Sequence, residues 1–295
     1  MNNHPLKPTF FILGAPKCGT TALSEYLRTH ADVFISEPKE AEYYTAYART
    51  RGAYHAREEY IAHVFSGAEG HAAIGGAPTR LLRTPEAIPN ILEHNPDTRF
   101  IVMLRNPVEM FESLYWQRVY EGAENAATPE KAWEIHTQID TGRPRTENDP
   151  ENGELRYGEI CRLGEQLERV YKQARKDRVL VLFYDDLKND ARSVYQQTLS
   201  FLNVPDDDRN DFPVIHRRKS TRSPLARRLI KKAGRLKKAL GVRRSLRDFP
   251  LVQRIVGGTK PLSNELRHEL TRYFRSDRVK LEKLTGRDLS NWKQL

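Results

Sequence analysis

GAPKCGTTAL, residues 14–23, places a lysine, a glycine and paired threonines directly after the apolar run TFFIL. A strand that turns into a helix through such a loop aims backbone N–H groups and the positive end of the helix at one point, which makes an anion site. Gly19 lets the main chain come close, and Thr20 and Thr21 add hydroxyl donors. Lys17, on the loop itself, is placed to reach a group bridging a bound phosphate and whatever is transferred. In an ATP- or GTP-binding Walker loop the lysine would stand where this chain has Thr20, so the order here is a different one.

Such a loop needs a sheet behind it. Three apolar, β-rich runs predict central parallel strands: Thr9 to Leu13, Arg99 to Leu104 and Arg178 to Tyr184, with weaker candidates at Val33 to Ser36 and near His71 to Gly75. Each of the three is followed by a helical pattern, so the expected fold is α/β, a P-loop-type open parallel sheet flanked by helices. Ligands in such folds bind beyond the carboxyl ends of the strands, where both the Gly14 loop and Arg105 fall. In RNPVEMFES, Asn106 is a helix N-cap candidate, Pro107 suits the first helical position and Glu109 completes the capping pair. After the third strand, Leu187, Val194, Leu199 and Leu202 predict one helix ending before Pro205, with Asp185 and Asp186 capping it. The reading is a single domain over 1–295, with a core of about 8–205, a polar, turn-rich excursion over 121–158 and a basic helical C-terminal region over 214–295.

PKCGTTAL resembles the 5′-phosphosulfate loop of sulfotransferases, P-K-[SAT]-G-T-T-x-L, a family whose donor is 3′-phosphoadenosine 5′-phosphosulfate (PAPS) with 3′-phosphoadenosine 5′-phosphate (PAP) as product. The resemblance implies that Lys17 contacts the 5′-phosphate and the bridging oxygen, and that Gly19, Thr20, Thr21 and Ala22 bind the 5′-phosphate, with Cys18 at a variable small position of the same loop. It also implies an arginine at a strand end and a serine eight residues later for the 3′-phosphate, here Arg105 and Ser113. A guanidinium fork suits a phosphate better than an ammonium does. EPKEAEYY, residues 37–44, is similar to the PKE-x-x-[FY][FY] stretch of glycan-type, including heparan-sulfate-type, sulfotransferases, which puts Glu40 at the catalytic base, while Glu42 stands where several relatives have histidine. GGAPTRLL, residues 75–82, resembles the E-[KS]-[ST]-P-x-Y segment near the acceptor. It departs from it at Gly76 and Ala77, which replace the acid and the Lys or Ser, and at Arg80, which replaces an aromatic. The implied activity is sulfuryl transfer from PAPS to a hydroxyl or amine of a sugar, lipid or other small-molecule acceptor, with no metal.

The chain carries a net charge of +10, yet fourteen Lys or Arg and no acid lie between Arg217 and Arg247, which leaves the remainder at −4. That distribution argues against general nucleic-acid binding and for a local anionic contact. The resemblance implies that residues among Arg217, Arg218 and Arg222 close over the donor's 3′-phosphate. Leu225, Leu229, Ala233, Leu236 and Leu240 have helical spacing, so the helix over 225–245 is also a candidate for peripheral membrane contact or for a solvated charged helix. No secretory leader pattern and no run near 18 apolar residues is present, and Cys18 and Cys161 lack metal-ligand spacing, so the expected location is the cytoplasm. Two readings from other classes stay open: a P-loop kinase or NTPase using Asp185 for Mg²⁺, and a non-catalytic module binding anionic surfaces through the basic segment.

Overall fold

In the computed structural model the described residues are 6–51, 54–121, 123–124, 126–140, 156–215 and 261–293. The chain divides into two compact units: residues 1–106, 162–216 and 275–292 form one, and 107–161, 217–274 and 293–295 the other.

The first unit holds a five-stranded parallel sheet in the order β2-β3-β1-β4-β5: β1 Phe10–Gly14, β2 Val33–Ile35, β3 Ala73–Gly76, β4 Arg99–Leu104 and β5 Val179–Phe183. All five expected strands are present. Phe10, Phe11, Ile12 and Leu13 of β1 and Phe100 to Leu104 of β4 are completely buried, which is why these strands read as unbroken apolar runs rather than alternating ones. Gly75 on β3 lies opposite Phe10, and a Cβ there would come within 2.5 Å of the Phe10 carbonyl oxygen, so strand pairing at this point requires glycine.

Helix α1 (Thr20–Arg28) follows β1 and packs on β2, while α2 (Ala46–Arg51), α3 (Arg57–Val64) and α4 (Ala87–His94) precede β4. In the second unit α5 (Pro107–Glu121), α6 (Pro129–Asp140) and α7 (Tyr157–Cys161) follow in chain order. The first unit resumes with α8 (Leu163–Gln173), α9 (Tyr184–Asn189) and α10 (Ala191–Leu202). Helix α11 (Asn264–Tyr273) belongs to the second unit and α12 (Arg275–Thr285) to the first.

The stretch after β5 departs from expectation. One helix was expected, and the chain instead breaks into α9 and α10 at Asp190, whose side chain accepts the Ser193 N–H at 2.9 Å and so starts a new helix. Asp185 and Asp186 lie in the first turn of α9 without capping it: Asp185 accepts the Trp292 indole N–H at 2.9 Å, and Asp186 pairs with Arg287, whose Nη2 is 2.7 Å from it. The polar excursion also contains more structure than its composition implied, because α6 occupies 129–140.

The second unit is built around Trp133 of α6, which meets Phe111 of α5 edge-on at 5.5 Å and Tyr273 of α11 at 4.8 Å. Its indole N–H donates to Glu269 at 2.8 Å, and Arg267 pairs with the buried Glu112 at 3.2 Å, which fixes α11 against α5 and α6.

Candidate active site

The loop after β1 has the geometry that an anion site needs. Lys17 and Gly19 are both in the left-handed region, at φ 75° and 90°, and Cys18 N–H closes a turn onto the Ala15 carbonyl at 3.2 Å. Gly19 is the N-cap of α1, no side chain caps that end, and the first intrahelical bond is Leu23 N–H to the Gly19 carbonyl at 3.2 Å. The N–H groups of Thr20, Thr21 and Ala22 are therefore the open donors of the first turn, with the positive helix end behind them. Glycine is required at 19 for a second reason: a Cβ there would lie 2.9 Å from Tyr184 Cδ2 and 3.1 Å from Leu187 Cδ2. Cys18 contributes main chain alone. Its side chain is fully buried, and burial pushes its thiol up to about 12 against the opposing pull of Arg105, so it stays protonated and un-nucleophilic.

Arg105, one residue beyond β4, is drawn to this loop. Its Nη1 donates to the Lys17 carbonyl at 2.9 Å, and its guanidinium lies over the Tyr184 ring with the carbon 4.3 Å from the centroid. Strand order explains the meeting: β4 pairs with β1 from Phe10↔Arg99 to Gly14↔Met103, so the two strand ends leave the sheet side by side. Tyr184, at the end of β5 and hence next in line, was not among the expected site residues. An aromatic at the end of the RVLVLFY run was the only sequence signal for it. Ser113 is buried on α5 in the second unit. Arg217, Arg218 and Arg222, with the basic helix over 225–245, lie outside the described residues. The segment before them is fastened along the C-terminal end of α1 and the turn that follows it. His30 Nε2 meets the Pro205 carbonyl at 2.9 Å, Arg209 donates to the Tyr26 carbonyl at 3.0 Å, and Tyr26 Oη donates to the Pro213 carbonyl at 2.9 Å.

Glu40 lies in the loop after β2, and that loop is clasped from two sides. From α1, Arg28 donates to the carbonyls of Ile35 (3.1 Å) and Ser36 (3.4 Å) and pairs with Glu37 at 3.3 Å. From the end of β3, Ser36 N–H donates to Gly75 (2.8 Å) and Ala77 N–H to the Lys39 carbonyl (3.3 Å). Glu40 itself is exposed and pairs with Lys39 at 3.2 Å. Glu42 is half-buried and binds Arg80 Nε at 3.4 Å, while Arg80 lies over the Tyr47 ring at 4.6 Å. Burial pushes the Glu42 carboxyl up, and Arg80 and Arg83 pull it partway back. At Gly76, where the resemblance expects an acid, a Cβ would come within 2.7 Å of Ser36 Oγ, so the loop after β2 occupies that place.

The carboxyl edge of the sheet thus presents, in strand order, the Glu40 loop beside β2 and β3, the Gly14–Gly19 loop at β1, Arg105 at β4 and Tyr184 at β5. The ends of β2 and β1 are two strand spacings apart, about 10 Å. That is a loop able to bind an anion with a carboxylate to one side of it. Among the described residues no group of His, Cys, Asp and Glu could hold a metal ion, and Asp185, the carboxylate a kinase reading needs, is occupied by Trp292.

Residues 7–232 match the family model of the sulfotransferase domain. The chain belongs to the sulfotransferase family. The membrane-associated sulfotransferase kil1 of Dictyostelium discoideum is 28% identical over 138 residues, which is 45% of this chain and 28% of that protein's length. The chain therefore spans under a third of that relative. A sulfotransferase from Alicyclobacillus acidocaldarius, 22% identical, superposes with a TM-score of 0.71 over 98% of this chain and 100% of its own, and shares the fold. The chain carries this family's domain on the parallel α/β sheet that its sequence predicts. Among its described residues no helix is long and apolar enough to cross a membrane.

Proposed function

We propose that this sulfotransferase takes its sulfuryl group from PAPS and passes it to a hydroxyl, or an amine, of a sugar, lipid or other small molecule, with Glu40 as general base. The observation that carries the donor assignment is the bond from Arg105 Nη1 to the Lys17 carbonyl at 2.9 Å. It sets a guanidinium beside an uncapped helix N-terminus, two anion-binding devices at adjacent strand ends, as a nucleotide with two separate phosphate groups requires. Ser113 and residues among Arg217, Arg218 and Arg222 are the further 3′-phosphate ligands that the motif resemblance assigns.

In this reading the acceptor oxygen attacks sulfur in line with the bridging S–O bond. One S–O bond forms while the other breaks, the electron pair of the broken bond leaves on the 5′-phosphate of PAP, and the acceptor proton passes to Glu40. Lys17 offsets the charge that grows on the leaving oxygen, and the N–H groups of Thr20, Thr21 and Ala22 hold the phosphate without reorganising. Calorimetric titration of the full chain with PAP and with ATP tests the donor. PAP is expected to bind at least tenfold more tightly, and equal affinities would remove the proposal.

A further inference from the structure

Lys39 is the lysine of the PKE stretch, and it is the residue that joins the proposed base to the sheet. Its side chain is 13% exposed, against 56% for Glu40. Nζ donates to Glu40 Oε1 at 3.2 Å and to the Ala77 carbonyl at 3.2 Å, while the Lys39 carbonyl accepts the Ala77 N–H at 3.3 Å and the Ser36 hydroxyl at 3.4 Å. Lys39 and Ala77 therefore hold each other through two bonds of opposite sense. Ala77 is completely buried and brings only a methyl group to the end of β3, so the cation at that strand end comes from Lys39.

We infer that Lys39 is the positioning residue of Glu40: anchored on the Ala77 carbonyl, it holds the Glu40 carboxylate in one orientation at the β3 end. The inference rests on Glu40 being the base. A half-exposed ion pair between neighbouring residues adds at most about 1 kcal/mol to stability. Its larger consequence is for the orientation of the carboxylate towards the acceptor proton. When Glu40 takes the acceptor proton it becomes neutral and the ionic attraction ends, whereas the bond to Ala77 remains and returns the ammonium to the same place for the next turnover. Burial pushes the Lys39 ammonium down, with Glu40 the largest opposing influence, so the bond to Glu40 also helps keep Lys39 charged. The other charged groups around the pair are Glu25 and Arg28 of α1, Glu37 in the same loop, and Glu42 with Arg80 and Arg83.

The test uses the full chain saturated with PAP and labelled with ¹³C at its side-chain carboxyls, the Glu40 resonance being assigned by its loss in Glu40→Gln. Lys39→Met and Lys39→Gln, the second keeping an amide to donate to Ala77, are expected to move and broaden the Glu40 carboxyl resonance as the carboxylate loses its fixed orientation. Lys39→Arg should leave it near its native position. With ³⁵S-labelled PAPS and a panel of free sugars and primary alcohols, Lys39→Gln should lower kcat about tenfold with KM for PAPS unchanged, and Lys39→Arg should restore most of the rate. An unmoved resonance and an unchanged kcat in both neutral variants, beside a Glu40→Gln that has lost turnover, overturns the inference alone. A Glu40→Gln that retains full turnover removes the base assignment and this inference with it.

Discussion

Arg105 reaches across from β4 to donate to the main-chain carbonyl of Lys17, 2.9 Å away, while its guanidinium rests on the Tyr184 ring. The contact holds the cation and the loop's backbone in one arrangement, so under the proposed donor assignment less ordering is left for binding to accomplish. Replacing Arg105 by lysine keeps the charge and removes both the planar stacking and the fork. PAP affinity is expected to fall ten- to a hundredfold, a loss of about 1.4–2.8 kcal/mol by titration calorimetry, and ATP affinity to change far less.

Gly19→Ala tests the loop's backbone. The new methyl would meet Tyr184 and Leu187 at a residue whose φ is 90°, so α9 has to yield or the loop has to open. Left-handed backbone at a residue with a side chain costs about 1–3 kcal/mol. A lower melting temperature together with at least tenfold weaker PAP binding is expected. A variant that melts earlier and binds PAP normally would show that the helix end is not part of the donor site.

Much of this arrangement was legible in the sequence because it is local. β1, β4 and β5 are apolar runs, and the loop after β1 has its lysine, glycine and threonines within five consecutive positions. What the sequence hid depends on partners distant along the chain. Nothing near Tyr184 signals that β5 lies beside β4 and so sets its ring under Arg105. Asp185 and Asp186 look like caps because caps are local, but their partners, Trp292 and Arg287, lie 107 and 101 residues further on. The break at Asp190 was missed for the opposite reason: apolar spacing runs smoothly through it, and periodicity does not register a side chain that bonds its own backbone. Lys39 was passed over because its partner Ala77 is a backbone contact 38 residues away.

Glu40 and Glu42 separate cleanly by substitution. Glu40→Gln, at the exposed carboxylate beside Lys39, should lower kcat by about 10²–10⁴-fold with PAP affinity intact, the range for loss of a general base. Glu42 is committed to Arg80 and half-buried, so Glu42→Gln should cost stability and leave kcat within about tenfold, because the neutral amide removes the ionic partner and not the base. The paired measurements are single-turnover transfer of ³⁵S label and thermal melting. A reversed order of the two kcat losses would move the base from Glu40 to Glu42.

Asp277 gives the fold a pH dependence whose sign is fixed. It stands on α12, and its two carboxyl oxygens accept the N–H groups of Gly164 and Glu165 at 2.8 and 2.9 Å, so it caps α8 from a distant part of the chain. Burial pushes its carboxyl up from 3.8 to about 6 despite these two bonds and Lys280, with Glu165 adding to the rise. The folded state therefore binds the proton more tightly than the unfolded one, so this group's contribution is fully present below about pH 4 and is lost as pH rises through about 6, by about 3 kcal/mol at most. Paired native carboxylates drive the opposite trend, so the group shows only by difference. Asp277→Asn removes the titration and one of the two acceptors, a pH-independent loss. The melting temperature of the native chain minus that of Asp277→Asn should fall between pH 4 and 6.5 and level off above it. A difference that rises over this window would mean that the helix end and Lys280 outweigh burial, and that Asp277 is ionised at no cost to the fold.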